Sequence, residues 1–250
     1  MGELLRAERL THRFADGKLG LEEVSLSLNE GDFLVVAGRN GSGKTLLMRH
    51  FLGLSQPHSG ELYYRGKDLR KNLVEARRAL GFVFEQAEAQ IIGQSVWEDV
   101  GFGPANLRLK PGLVKEKSQE ALRAVGLEWA KDRQTDSLSG GELRRLAIAG
   151  ILAMDADCLI LDEPFANLDA VSVREVVNCL ISLRESGKTI VVLTHELEKI
   201  LAEANRLLVL DGGKVFFEGR PKDFPEPDYE RAGLMNPFKT YRSVKDLSWR

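Results

Sequence analysis

Eight consecutive residues, Gly38-Arg39-Asn40-Gly41-Ser42-Gly43-Lys44-Thr45, constrain this 250-residue chain more than anything else in it. They satisfy the pattern G-x-x-x-x-G-K-[S/T], which average glycine usage produces by chance in about one chain of this length per hundred. The context sharpens the match. Phe33 to Ala37 is an unbroken apolar run, the mark of a strand buried on both faces of a parallel sheet, and helical spacing follows from about Thr45 to Leu52. Strand, glycine turn and helix in that order let successive N–H groups turn inward as an anion nest, and the helix N-terminus adds partial positive charge. In such a cradle Lys44 reaches the β- and γ-phosphates of a nucleotide and the Thr45 hydroxyl is placed to ligate Mg²⁺. Gly38, Arg39, Asn40, Gly41, Ser42, Gly43 and Leu46 line the rest of it. A glycine-rich turn that holds nothing is the competing reading, and the flanking elements disfavour it.

The remaining chain alternates in the same sense. Leu4 to Phe14 and Leu21 to Leu28 alternate apolar and polar residues around Asp16-Gly17, as antiparallel strands do. Glu61 to Tyr64 and Leu80 to Phe84 read as further strands, followed by a mostly helical stretch from about 95 to 153. Strand patterns return at Cys158 to Leu161, Thr189 to Leu193 and Leu207 to Leu210, with a helix from Val171 to Ser186 and a hairpin at Asp211-Gly212-Gly213. Strand, helix and strand in succession are the doubly wound α/β pattern. After Gly219 four prolines (Pro221, Pro225, Pro227, Pro237) predict an irregular, solvated extension.

Two further sites carry chemistry. Asp162 and Glu163 close the apolar run from Cys158, at the strand end that faces the ligand crevice in open α/β sheets. Asp162 suits Mg²⁺, a hard ion that prefers oxygen ligands. On an extended chain Glu163 faces the other way and can serve as general base for an attacking water. Asp-Glu-Pro is also a common way to end a strand, so this pair gains its meaning from the phosphate loop. His195 ends the next strand, where it can contact a γ-phosphate or orient water; a lone histidine is more often structural.

Leu138-Ser139-Gly140-Gly141-Glu142 opens a helix with apolar positions at Leu143, Leu146, Ile148, Ile151 and Leu152. Ser139 and Glu142 form a capping-box pattern. Capping does not account for two glycines in a first helical turn, each costing about 1 kcal/mol relative to alanine; bare N–H groups beside a phosphate would. At this point the chain resembles the ABC ATPase family over residues from about 3 to 219. The resemblance rests on the phosphate loop, the Ser139 to Glu142 signature, Asp162, Glu163 and His195 in this order. It implies an α/β P-loop NTPase (ABC ATPase) core with an N-terminal antiparallel β subdomain and a helical signature subdomain. The ABC ATPase domain would span 1–220, with the helical part inserted at about 88–152 and a C-terminal extension at 221–250. The family binds ATP with Mg²⁺ between two chains set head to tail. By that likeness Ser139, Gly140, Gly141 and Glu142 meet the nucleotide held by the partner chain's loop. Ala166 to Asp169 resembles a loop that crosses the dimer interface, with Asp169 in it. Phe14 falls where an aromatic stacks on adenine. Val83 to Ile91 and Glu98 to Leu107, with Gln90 and Phe102-Gly103-Pro104, are similar to the ATPase subunits of energy-coupling-factor transporters for cobalt and vitamins. There the segment corresponding to residues 85–106 forms a groove for a helix of a transmembrane subunit, which would hold the chain peripherally at the cytoplasmic face of the membrane.

The chain departs from the family at three positions. Glu85 stands where a metal-contacting Gln is usual, with Gln86 as the rival if the loop slips by one residue. Leu46 replaces a Ser or Thr that helps hold the α-phosphate, a loss of about 0.5–1.5 kcal/mol. Glu142 replaces a common Gln and still suits capping.

Composition removes other classes. A net charge of −2 gives no argument for nucleic acid. Cys158 and Cys179 lie in apolar stretches without C-x-x-C spacing and read as buried, reduced thiols. No apolar run approaches the roughly 20 residues of a membrane span. The N-terminus lacks a signal-peptide core, and Arg6 stands where a myristoylation site wants Ser or Thr. A soluble ABC ATPase doing mechanical work is the alternative, disfavoured by a single cassette without long heptads. A P-loop kinase would have no use for Ser139-Gly-Gly.

Overall fold

The structure is a computed structural model that describes residues 2–239, 243–247 and 249. Met1, Thr240 to Arg242, Ser248 and Arg250, parts of the N-terminal segment and C-terminal extension read above, lie outside the described residues. In chain order the strands and α-helices are β1 (Glu3–Arg13), β2 (Leu19–Asn29), β3 (Phe33–Ala37), α1 (Lys44–Phe51), β4 (Ser59–Tyr64), β5 (Lys67–Asp68), α2 (Leu73–Ala79) and β6 (Leu80–Val83). Then come α3 (Val96–Asn106), α4 (Pro111–Ala124), α5 (Gly140–Leu152), β7 (Cys158–Asp162), α6 (Ala170–Glu185), β8 (Thr189–Thr194), β9 (Arg206–Asp211), β10 (Lys214–Gly219) and α7 (Glu226–Arg231). The chain divides into two compact units, Met1–Arg77 with Thr189–Ser248, and Arg78–Lys188 with Trp249–Arg250.

The first unit holds an antiparallel sheet in the order β2-β1-β4-β5 and a run of strands β10-β9-β3-β8. All five residues of β3 are buried, so both faces of the strand are covered, and parallel neighbours pair its backbone on both edges: Val35 is in register with Val192 of β8 and with Leu207 of β9. The continuous apolar run is thereby explained. β9 and β10 are the antiparallel hairpin expected at Asp211-Gly212-Gly213. Gly213 N–H donates to the Ser42 carbonyl, and Glu22 N–H donates to the Gly213 carbonyl, so the hairpin turn ties β2 to the phosphate loop.

The C-terminal extension departs from expectation. It carries a short helix, α7, whose Tyr229 is fully buried, its ring 4.5 Å from that of Phe224 and 5.7 Å from that of Phe238. The prolines pointed to irregular chain, but the three aromatic rings bury enough apolar area to fold the segment onto the first unit. Burial pushes the Tyr229 hydroxyl up to about 12. Gly233, at φ +66°, lies so close to Arg39 that a Cβ there would be 2.2 Å from the arginine Cδ.

The second unit pairs β6 with β7 in parallel, Val83 opposite Leu161, and packs α3, α4 and α6 around α5. The helix α5 is not merely one-faced. Arg144 and Arg145 are buried along with Leu146, Ile148 and Ile151, since neighbours cover it on several sides. Both cysteines are buried free thiols, and burial raises each well above the ordinary thiol value. Among the described residues no helix is long and apolar enough to cross a membrane.

Candidate functional site

In the first unit the phosphate loop leaves the end of β3 and enters α1. Gly43 caps the helix at φ +105°, and a Cβ there would come within 2.7 Å of Leu21 Cδ2 and 3.0 Å of the Gly20 carbonyl. Only glycine fits that turn. Lys44 is 6% exposed, and its Nζ donates back across the loop to the Gly38 carbonyl at 2.7 Å and the Arg39 carbonyl at 3.4 Å. Ser42 Oγ is buried without a hydrogen-bond partner. A curled backbone, a buried ammonium and an orphan hydroxyl form a donor set that phosphate oxygens would complete. Ala37 is in register with Thr194, so Gly38 and His195 leave neighbouring strands at the same edge. His195 is exposed there. Phe14 follows β1 and is 43% exposed; its carbonyl accepts from Gly17 N–H and its own N–H donates to the Lys18 carbonyl.

Beneath this loop sequence reading missed His50, on the last turn of α1. It is fully buried, and burial, then the facing His12, lowers its pKa to about 4 against an opposing backbone hydrogen bond with Ser55. Its spacing of three from the buried Leu47 was the available signal. An unfolded chain takes up this proton near pH 6.5 and the folded one near 4, so the contribution is complete above 6.5 and lost as pH falls towards 4. Between pH 7 and 4.5 the parent is expected to lose about 2–3 kcal/mol more stability than His50→Leu in urea melts. Equal losses would remove His50 as the source.

In the second unit Asp162 ends β7 and Glu163 follows it, both buried. Glu163 is not extended, as the sequence reading had it. Its φ of +42° puts it in the left-handed region, where a non-glycine residue costs about 1–3 kcal/mol and marks a place where the fold holds strain. The turn continues through Pro164, where the strand ladder stops. Glu85 emerges two residues after Val83, at the same sheet edge as Asp162, and both Glu85 and Gln86 are exposed. Arg144 on α5, another residue missed, donates to the carbonyls of Phe84 and Glu85 and so pins this loop to the signature helix. Burial lowers the pKa of its guanidinium, with Glu88 and Glu85 opposing. Its i,i+4 relation to Ile148 was legible in the sequence.

The capping box at the start of α5 is present: Glu142 N–H donates to Ser139 Oγ at 3.3 Å and Ser139 N–H to Glu142 Oε2 at 2.7 Å. Burial works against ionisation of Glu142, but its hydrogen bonds from Ser139 and the charges of Arg133 and Arg145 together hold its carboxyl below the usual range. Gly141 gains a second explanation here. A Cβ on Gly141 would be 2.7 Å from Ser172 Cβ, so Gly141 is needed for α5 to start against α6, whereas one on Gly140 would only press on the tip of the Leu168 side chain at 3.1 Å. Ser139 and Gly140 nevertheless remain exposed. Asp169 caps α6, accepting from Ser172 N–H at 2.7 Å, which gives it a role within the chain.

An apolar groove of about 330 Å³ opens in the second unit, lined by Gln90, Ile92, Phe102, Gly103, Leu107 and Met154 among others. Gln90 holds its rim: its Nε2 donates to the Phe82 carbonyl and its Oε1 accepts from Phe84 N–H. Ile92, Phe102 and Leu107 are exposed.

A sequence model of the ABC transporter family matches residues 21–166, which is more than half of the chain. The chain belongs to the ABC transporter family. Among similar ABC proteins, the energy-coupling factor transporter ATP-binding protein EcfA of Methanocaldococcus jannaschii is 38% identical over 223 residues, 88% of this chain and 80% of the relative. EcfA1 of Caldanaerobacter subterraneus is 38% identical over 246 residues, 95% and 88% of the two chains. The solved CbiO1 of Clostridium perfringens, described as part of the ABC transporter complex CbiONQ, superposes with a TM-score of 0.85 at 31% identity over 99% of both chains. A dimeric ATP-binding cassette in a post-hydrolysis state with ADP and phosphate gives 0.76 at 27% identity, covering 88% of this chain and all of that one. The chain is accordingly an ATP-hydrolysing ABC subunit with the α/β ABC ATPase fold.

Proposed function

We propose that this subunit energises an energy-coupling-factor type importer of a metal ion or vitamin, working as one of two paired ABC chains. Lys44 and the loop from Gly38 to Leu46 would grip the triphosphate, with Phe14 against adenine. Thr45, Asp162 and Glu85, with Gln86 as the rival, would hold Mg²⁺, whose charge would neutralise the β- and γ-oxygens. Among the described residues no three His, Cys, Asp or Glu side chains cluster closely enough to hold a metal alone, so hydroxyl, phosphate and water would supply the other ligands. Glu163 would activate the attacking water and His195 would orient it, as phosphoryl transfer demands positioning above all. Ser139, Gly140, Gly141 and Glu142 would meet the partner chain's nucleotide, and Asp169 the partner's surface. ATP then favours the paired state because only there is each triphosphate fully wrapped. The domain reading of 1–220, with its helical part at about 88–152 and an extension at 221–250, belongs to the same proposal.

The observation that carries the importer reading is the apolar groove at Gln90 to Leu107, in a chain similar to energy-coupling-factor ATPases. It fits a helix of a transmembrane subunit, which would keep the chain at the cytoplasmic face of the membrane; the reading includes no nucleic-acid partner. Co-expression with the membrane subunit tests this. Phe102→Glu, which sets a charge in the groove, is expected to reduce the retained membrane subunit by about tenfold or more. Undiminished retention would overturn the docking site.

A further inference from the structure

We propose that His12 is a positioning residue for the nucleotide base, holding the Phe14 ring in register with the helix that carries Lys44. This rests on the proposed stacking of Phe14 on adenine and adds to it a mechanical support.

Three rings form a continuous edge-to-face ladder. His12 meets Phe14 with centroids 4.9 Å apart at 73°, and meets His50 at 5.0 Å and 64°. Its two ends differ. Phe14 is 43% exposed, whereas His50 is fully buried in the last turn of α1, the helix that begins at Lys44. On its other side the Phe14 ring rests over Gly20 and beside Leu46 of that same helix. A Cβ on Gly20 would lie 2.7 Å from the ring and 2.6 Å from Leu46 Cδ2, so it would push the ring or the leucine aside.

The hydrogen-bonding state of the ladder is unusual. His12 Nδ1 is buried without a hydrogen-bond partner. Buried polar atoms are almost always satisfied, and leaving them unsatisfied is costly. What the two imidazoles contribute here is their shape and their edge-to-face geometry, which aromatic pairs favour. The consequence is a fixed spacing. The base-contacting ring and the phosphate-gripping lysine are both referenced to α1, one through His12 and His50, the other directly. A nucleoside triphosphate is matched at both ends, whereas a bare triphosphate uses only one.

Binding of Mg-ATP and of Mg-tripolyphosphate to the full chain, measured by calorimetry, separates the possibilities. Phe14→Ala is expected to weaken ATP about tenfold and leave tripolyphosphate unchanged. His12→Ala is expected to weaken ATP about fivefold, again sparing tripolyphosphate, with no added loss in the double variant and recovery in His12→Phe. If Phe14→Ala weakens ATP and His12→Ala does not, the support role is overturned while the stacking role stands. An unchanged ATP affinity in Phe14→Ala overturns both. Equal weakening of both ligands in His12→Ala makes His12 a general prop of the loop and overturns the proposal. Should His12→Ala fail to fold, His12→Leu against His12→Phe makes the same comparison, and equal ATP affinity of those two is the overturning result.

Discussion

Glu163→Gln is expected to bind ATP as the parent does, to lose about 10²–10⁴-fold in turnover, and to run as a pair on gel filtration with ATP and Mg²⁺. Glu163 is buried just after β7 and held at φ +42°, an unfavourable backbone of the kind that clusters at functional sites. Glutamine keeps its size and its remaining hydrogen-bonding oxygen but cannot take a proton from water. ATP therefore stays unhydrolysed and continues to favour the closed pair, whose population rises with its advantage in ATP affinity. A monomer peak under saturating ATP, with ATP bound at parental affinity, would contradict the coupling of binding to pairing.

Lys44→Met should nearly abolish ATP binding, with a loss of about 10²–10³-fold in affinity and no measurable turnover. Lys44 is buried, and its Nζ is fixed by the Gly38 and Arg39 carbonyls at the mouth of the loop. Methionine fills much of the same volume, so the loop is expected to keep its shape while the charge disappears. Charge-assisted hydrogen bonds to phosphate are roughly twice as strong as neutral ones, and here they would form in a nest of low dielectric. Equilibrium binding of a fluorescent ATP analogue measures the effect, and parental affinity would remove Lys44 from the grip.

Much of this architecture was legible because local chemistry and tertiary role agree. Phe33 to Ala37 reads as a doubly covered strand because side chains on both of its faces are buried, and Ser139 with Glu142 reads as a helix cap because the cap closes within four residues. What escaped depends on contacts distant in sequence. Gly141 also has a packing reason, Ser172 lying against it, that the residue types do not show. The turn at Glu163 is imposed where β7 ends and leaves no mark in the residue types. His12 and His50 become partners only when β1 is laid against α1, and Tyr229 becomes a core residue only when the chain returns after β10. The prolines of that last segment signalled irregular backbone, which does not preclude burial.

The account turns on the γ-phosphate being enclosed by two chains. An experimental structure of Glu163→Gln with ATP and Mg²⁺ measures this directly. It should place Ser139 and the Gly140 and Gly141 N–H groups of one chain within hydrogen-bond distance of the γ-phosphate gripped by Lys44 of the other. A γ-phosphate fully enclosed by a single chain, with Ser139 and Gly140 still facing water, would contradict it.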